Sequence, residues 1–478
     1  MLDTKDVLKS IDPATGRELA SFPELDEAGI EAAVARAWSV RHAWRDAGMD
    51  FRIALLRSVA GVLKADKQRY AALLTSEMGK PIVEAESEVE KCAWTASWIA
   101  ANAARLLADE ALDSTATESY VRFQPLGVVL AVMPWNFPFW QAFRAALPAL
   151  AAGNVMLLKH SSNVPQSALA IEEAFREAGV PEGVFQTLLI GPGAVERIIS
   201  DRRVAGVTLT GSEAAGSLVA AAAGKALKKS VLELGGSDPF IVLRDADIAT
   251  AATVACRARN QNNGQSCIAA KRFIVEEPVA DEFEDRLAKA VAALKVGNPM
   301  DRSNHVGPLA RADLVEDLER QVSESVRLGA RALTGGKRVE GDGYFFEPTV
   351  LANVRPGMPA YHEETFGPVA AVIRVKDAED ALRVANDTDF GLGSAIWSSD
   401  VELAKKLAER VEAGLVFING MVASDARLPF GGVKRSGYGR ELSSYGIKEF
   451  VNIQTVWVGP AKTENKSDGN TAPPPRAE

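Results

Sequence analysis

The sequence predicts an α/β protein of several folding units, with parallel sheets covered by helices on both faces. Two observations carry this. From Tyr120 onward, short apolar strands alternate with helical segments, and strands separated by helices of about 10–15 residues imply parallel crossover units. The alternation runs twice, once to Leu234 and again from about Asp238 to Gly439. A length of 478 residues suits roughly two to four units at about 150 residues each.

The first 110 residues read as mostly helical. Ala32 to Trp44 and Ile53 to Leu63 carry apolar residues at helical spacing. Glu77-Met78-Gly79-Lys80-Pro81 ends a helix, with Gly then Pro, and Ile82 to Ala100 reads as a further helix. The period changes at Tyr120, where YVRFQPLGVVLAVMPWNFP reads as two strands, the second a nearly continuous apolar run. NVMLLK (154–159), VFQTLLI (184–190), VAGVTLT (204–210) and SVLEL (230–234) follow as strands, with helices at 167–179 and 213–226. The second stretch has strands RFIVEE, AAVIRVK and GLVFING, and helices ADEFEDRLAKAVAAL and VELAKKLAERVEAG. The polar, Pro-rich end AKTENKSDGNTAPPPRAE (461–478) is expected to be a disordered tail.

Composition is ordinary for a globular protein, 47% hydrophobic and 24% charged. A net charge of -9 with mixed signs disfavours nucleic acid or an anionic membrane as the main partner. There is no CxxC pair and no HExxH among three cysteines and four histidines, so no metal is expected. Three thiols in so long a chain fit a reducing compartment. The N-terminus lacks the basic start and apolar run of a signal peptide, and apolar stretches fall short of the ~20 residues that span a bilayer. The expectation is a soluble cytoplasmic protein.

Four segments carry chemistry. Cys267 lies in Asn262-Asn263-Gly264-Gln265-Ser266-Cys267, where Gly and small polar neighbours suggest a tight turn that lifts a thiol out of a core. A lone cysteine is otherwise a small buried hydrophobe, and Cys92 and Cys256 are read that way. Glu233 ends an apolar strand before Gly235-Gly236, and ligands in open α/β sheets bind beyond the carboxyl ends of strands; the alternative is a solvated strand-end carboxylate. Asn136, in Met133-Pro134-Trp135-Asn136-Phe137-Pro138, either caps the following helix or donates to a developing oxyanion. Thr210-Gly211-Ser212 opens a helix after a strand, placing Ser212 as a helix cap or as a phosphate contact. The G-x-G-x-x-G fingerprint of dinucleotide sites is absent.

Taken together, MPWNFP (133–138), LLKHSSNVP (157–165), VTLTGS (207–212), LELGGSDP (232–239), GQSC (264–267), EETFGPV (363–369) and PFGGVKRSGYGRE (429–441) resemble the aldehyde dehydrogenase superfamily, in the family's order and over nearly the whole chain. The resemblance implies a Rossmann-like NAD(P)-binding domain from 1–112 and 132–232, a catalytic domain over 233–440, and a small β oligomerisation element from 113–131 and 441–460, giving a homodimer or homotetramer. It implies that Cys267 attacks the aldehyde carbon and that Asn136 and the Cys267 N–H hold the oxyanion. Hydride leaves to the nicotinamide, and Glu233 activates water against the resulting thioester. Lys159 and Ser162 fall at the adenosine ribose; Trp135, Thr210, Gly211 and Ser212 at the pyrophosphate; Leu234, Glu364 and Phe366 at the nicotinamide end. Strongly NAD-selective members often carry Glu where this chain has Ser162, so NADP is expected beside NAD.

The chain looks most like the semialdehyde branch, the succinate-semialdehyde dehydrogenases of the NAD(P) type. In that branch Arg144 and Ser424 match positions that hold the substrate carboxylate. A second branch arginine is replaced by Gln261, leaving Arg259 and Arg427 as alternatives for its task. Glutarate semialdehyde or an aromatic aldehyde is the competing substrate reading. A nonenzymatic binding protein on the same fold is the competing class; it predicts a damaged site, whereas Cys267, Glu233 and Asn136 are all present.

Overall fold

The computed structural model describes residues 7–460; the expected tail at 461–478 lies outside them. A six-stranded sheet forms the first half. Its spatial order is Gly437–Tyr438, Lys229–Glu233, Val204–Thr210, Val128–Met133, Val155–His160, Phe185–Thr187, all parallel except the first strand. From Val128–Met133 the chain winds one way to Phe185–Thr187, then returns and winds the other way through Val204–Thr210. The order therefore reverses between Val128–Met133 and Val204–Thr210. A crevice opens outside the carboxyl ends of strands at such a switch point, and those ends deliver Pro134-Trp135-Asn136 and Gly211-Ser212.

The second sheet has seven strands in the order Arg331–Thr334, Thr349–Ala352, Val369–Val375, Ala270–Glu276, Asp238–Val242, Gly393–Trp397, Leu415–Ile418. Only the first pair is antiparallel. Successive residues alternate between its two cores. Ile241, Ile274, Ile373 and Ile396 pack into one, and Phe240, Val242, Phe273, Val275 and Trp397 into the other, as a period of two requires of a sheet covered on both faces.

One expectation is extended and two are corrected. The first 110 residues are mostly helical, but they open on an antiparallel hairpin of Val7–Asp12 and Arg17–Pro23. Thr15 and Gly16 N–H donate to the Asp12 carbonyl, and Gly16 takes φ +69°, a turn that the PATG segment suits. The strand Val128–Met133 belongs to the six-stranded sheet and not to the small element, because it is buried and paired on both sides. The small sheet is Glu110–Ala111, Glu118–Pro125 and Val451–Val458. VFQTLLI yields only the three-residue strand Phe185–Thr187. No helix among the described residues is long and apolar enough to cross a membrane.

Candidate active site

Cys267 is presented by a turn that ordinary residues resist. Asn262, Asn263 and Gly264 stand consecutively at φ +58°, +57° and +74°, the left-handed region that only Gly, and less readily Asn, enters at modest cost. The side chains that follow from this choice hold it. Asn262 Nδ2 donates to the Asn136 and Gln265 carbonyls. Asn263 Nδ2 donates to the Gly79 and Pro308 carbonyls while its Oδ1 accepts from Gly307 N–H. Gly264 is dictated twice over, since a Cβ there would lie 2.4 Å from the Gly367 carbonyl carbon. The Arg259 guanidinium, fully buried, binds the Gly264 and Thr365 carbonyls at 2.6 and 3.2 Å and also reaches Gly367. Arg259 is therefore a scaffold for the Cys267 turn and lines neither cavity beside that residue. Arg427 is exposed and engaged by Asp425 two residues away, so neither alternative for the missing branch arginine holds.

The half-buried Cys267 thiol is the residue common to two cavities. One, of about 230 Å³, is walled by Trp135, Asn136, Thr210, Gly211, Ser212, Leu234, Glu364 and Phe366, with Pro134, Gly235, Arg311 and Leu314. The other, of about 310 Å³, is walled by Phe137, Trp140, Arg144, Ser424 and Phe430, with the Val83–Lys91 face of the helix Ile82–Leu106. Cys92 and Cys256 are buried away from both.

Asn136 is no helix cap. The helix Pro138–Ala151 has Phe137 at its N-cap position, without a side-chain cap bond, and its first N–H groups at Phe139 and Trp140 donate to Glu88 Oε1. The Asn136 amide spends one N–H on the Gln265 carbonyl at 3.1 Å. Its second N–H has no hydrogen-bond partner among the described residues, and Asn136 and Cys267 wall the same cavity.

Glu233 ends its strand opposite Thr210 and Gly437. Its carboxylate is 1% exposed, and neither oxygen has a hydrogen-bond partner among the described residues. A Cβ on Gly431 would come within 2.9 Å of its Oε1, so the Gly-Gly turn of PFGGVK makes room for it. Burial drives the Glu233 pKa well above the usual carboxylate range, Arg144 pulls it down, and Glu441 pushes it up. The Cys267 thiol is pushed up to about 12 by burial, against the pull of Arg144. Burial thus favours the neutral form of both groups, so Glu233 can act as a base only in the fraction that has lost its proton, which grows as pH rises.

Arg144 stands 1% exposed in the wall of the larger cavity, its guanidinium 4.7 Å from the Phe430 ring centroid. Its Nε forms an ion pair with Glu441, and its Nη2 donates to Thr210 Oγ1 at 3.2 Å. A buried charge needs such pairing within the protein, and Nη1 has no hydrogen-bond partner among the described residues. Ser424 does line the cavity, and its Oγ accepts from Lys91 Nζ at 2.6 Å.

Seven of the nine residues expected around a dinucleotide wall the smaller cavity. Lys159 and Ser162 stand outside that wall, at and just beyond the end of the neighbouring strand Val155–His160, where Lys159 aligns with Val132. Ser212 caps the helix Glu213–Lys225, accepting from Ala215 N–H at 3.3 Å, so both of its expected roles are compatible. Trp135 and Phe366 meet edge to face at 5.7 Å. Glu364 Oε1 accepts from Gly236 N–H at 3.0 Å and lies 3.3 Å from Lys271 Nζ. Lys271, fully buried, also donates to the Ser266 and Cys267 carbonyls. Sequence reading missed it, although a Lys four residues after the nucleophile in an apolar strand was a visible signal.

A family model described as the aldehyde dehydrogenase family matches residues 2–456. The chain belongs to the aldehyde dehydrogenase family. Among its relatives, a succinate-semialdehyde dehydrogenase [NADP(+)] of Mycobacterium avium is 49% identical over 470 residues, covering 97% of this chain and 99% of that one. A succinate semialdehyde dehydrogenase [NAD(P)+] of Escherichia coli is 49% identical over 94% of this chain and 97% of its own length. The crystal structure of a succinic semialdehyde dehydrogenase from Streptococcus pyogenes in complex with NADP+ superposes with a TM-score of 0.93 at 40% identity, covering 95% of this chain and 100% of that one.

This aldehyde dehydrogenase site makes two predictions. In the native state Glu233 keeps its proton to higher pH than a free glutamate, so the basic form accumulates only as pH rises. The pH profile of kcat/KM should climb to a plateau with a midpoint well above the ~4.3 of an unperturbed Glu. Glu233→Gln should abolish that limb and steady-state turnover; an ascending limb that survives in Glu233→Gln assigns it to another group. The second concerns Arg144→Met, which leaves Glu441 buried and unpaired. It should cost about 3–5 kcal/mol of stability and, because Arg144 lowers the Glu233 pKa, shift the same limb to higher pH. Urea denaturation and the profile with a neutral aldehyde check both; unchanged stability would mean that the ion pair is dispensable.

Proposed function

We propose that this enzyme oxidises succinate semialdehyde to succinate with NADP or NAD, through a thioester on Cys267. The observation that carries the reading is the thiol standing between two cavities, one with the features of a dinucleotide site and one ending in cations and hydroxyls. The dinucleotide site is supported by the backbone: a Cβ on Gly235 would fall 2.6 Å from Glu364 Oε2, and a capped helix N-terminus faces the switch-point crevice, where backbone N–H groups attract phosphate. Gly211 and Ser212 would hold the pyrophosphate, Glu364 the nicotinamide ribose, and Trp135, Leu234 and Phe366 the flanking rings. Lys159 makes no ion pair among the described residues, and with Ser162 it would take the adenosine ribose and its phosphate. The dinucleotide supplies the hydride acceptor for oxidation of the captured aldehyde.

The chain's own groups do the rest. Glu233 removes the Cys267 proton, and the thiolate adds to the aldehyde carbon. The free Asn136 N–H and the Cys267 N–H stabilise the oxyanion. After Glu233 has passed the Cys267 proton to solvent, it deprotonates the water that attacks the thioester, and the acid is released with the Cys267 sulfur as leaving group. The methylenes lie against Phe137, Trp140 and Phe430, and the distal carboxylate lodges at Ser424, with Arg144 adding positive potential from behind. Names of relatives at 49% identity support the same substrate and NADP. Three thiols, none paired in a disulfide, fit the reducing cytoplasm. The outer strand Val451–Val458 presents exposed Ile453 and Trp457 on a free sheet edge, and pairing that edge with a second copy would remove an aggregation hazard.

A panel of succinate semialdehyde, glutarate semialdehyde, butanal and benzaldehyde with each dinucleotide tests the reading: the highest kcat/KM should fall on succinate semialdehyde. A higher value for benzaldehyde would assign the aromatic aldehydes instead. Ser162→Glu should lower kcat/KM for NADP far more than for NAD. Repulsion at ~4 Å is of order 4 kcal/mol at an effective dielectric near 20, before screening. An unchanged NADP/NAD ratio would remove Ser162 from the ribose.

A further inference from the structure

Five charged side chains line the larger cavity: Glu84, Glu88, Lys91, Arg144 and Arg257. Four are accounted for. Glu88 accepts from the Phe139 and Trp140 N–H groups and pairs with buried Lys80. Glu84 accepts from Asn262 N–H at 2.6 Å, and burial raises its pKa to about 7, so much of its charge is suppressed near neutrality. Arg144 belongs to Glu441. Arg257 is exposed and free to be hydrated.

Lys91 differs from all of these. It sits two turns beyond Glu84 on the same face of the helix Ile82–Leu106, the spacing that stacks side chains along one stripe. Its Nζ lies 4.2 Å from the Trp140 ring centroid and donates to Ser424 Oγ, and no carboxylate stands within ion-pair distance among the described residues. An ammonium carries three N–H donors, so two remain after Ser424. Burial, then the nearby Arg144 charge, lowers its pKa to about 8. Both effects mark a cation that gains from an incoming anion. Ser424 accepts from Lys91, which leaves its hydroxyl hydrogen to donate. One ammonium and one hydroxyl hydrogen, side by side in a wall otherwise rich in aromatic carbon, match the two oxygens of a carboxylate.

We infer that Lys91, with Ser424, is an anchor for the distal carboxylate of the substrate. The inference rests on the semialdehyde reading of the same cavity and names the group that selects for the anion. It makes Lys91 a specificity residue for acidic aldehydes, acting on binding rather than on the reacting atoms.

The experiment compares kcat/KM for succinate semialdehyde and for butanal, a neutral aldehyde of the same length, in wild type, Lys91→Met and Lys91→Arg, each with saturating NADP. Wild type should favour the semialdehyde. Lys91→Met should cut the semialdehyde/butanal ratio by about tenfold or more, the scale of a charged hydrogen bond, chiefly through KM, and Lys91→Arg should restore most of it. A strong wild-type preference that persists unchanged in Lys91→Met overturns the anchor while leaving the semialdehyde reading intact, even if both rates fall together from damage to the fold. A wild-type ratio near one overturns both.

Discussion

The left-handed turn at Asn262-Asn263-Gly264 is the constraint on which the site depends. Two consecutive non-glycine residues at positive φ cost on the order of 1–3 kcal/mol each, and the strain persists because the surroundings over-determine it. The amide groups of Asn262 and Asn263 tie the turn to the Asn136, Gly79 and Pro308 carbonyls. The Arg259 guanidinium ties it to the EETFGPV segment that carries Glu364. One backbone conformation thereby sets the positions of Cys267, Asn136 and Glu364 relative to each other. Positions held this way need no rearrangement as charge develops, which is what preorganised electrostatic catalysis requires.

Charge is handled with similar economy. Removing carboxylates from water is costly, and the site removes two, Glu233 and Glu441, beside a single buried arginine. Arg144 satisfies Glu441 directly and Glu233 only through its field. Glu233 is left with neither a hydrogen bond nor a counter-ion in contact, the environment that makes a carboxylate basic enough to accept a thiol or water proton near neutral pH. A direct Arg144–Glu233 pair would have kept Glu233 ionised and weakly basic.

How much of this was legible depended on distance along the chain. Cys267, Glu233, Asn136 and the Thr210-Gly211-Ser212 turn sit at ends of strands whose apolar runs are visible, so local pattern located them. The alternation of strand and helix likewise revealed both sheets. The N-terminal hairpin escaped because its strands are short, and the second is mostly exposed with little apolar signature. The partners of Arg144 and Arg259 escaped for a shared reason: an arginine in an apolar segment advertises a partner without saying which. Glu441 and the carbonyls of the 365–367 segment are remote in sequence and became neighbours only through the sheets. The Lys91–Ser424 bond spans 333 positions, and nothing in the local composition of Glu90-Lys91-Cys92 distinguishes that lysine from a solvated one. Arg427, by contrast, lay two residues from Asp425, and its pairing was readable in principle.

Among the described residues, Cys267 is the one lining residue that the two cavities share, and this sets how each can be altered. A substitution at Trp140, Ser424 or Phe430 reshapes one space without touching the wall of the other, and a substitution at Trp135, Leu234 or Phe366 does the reverse. Only at Cys267 does a change of side chain alter both spaces at once.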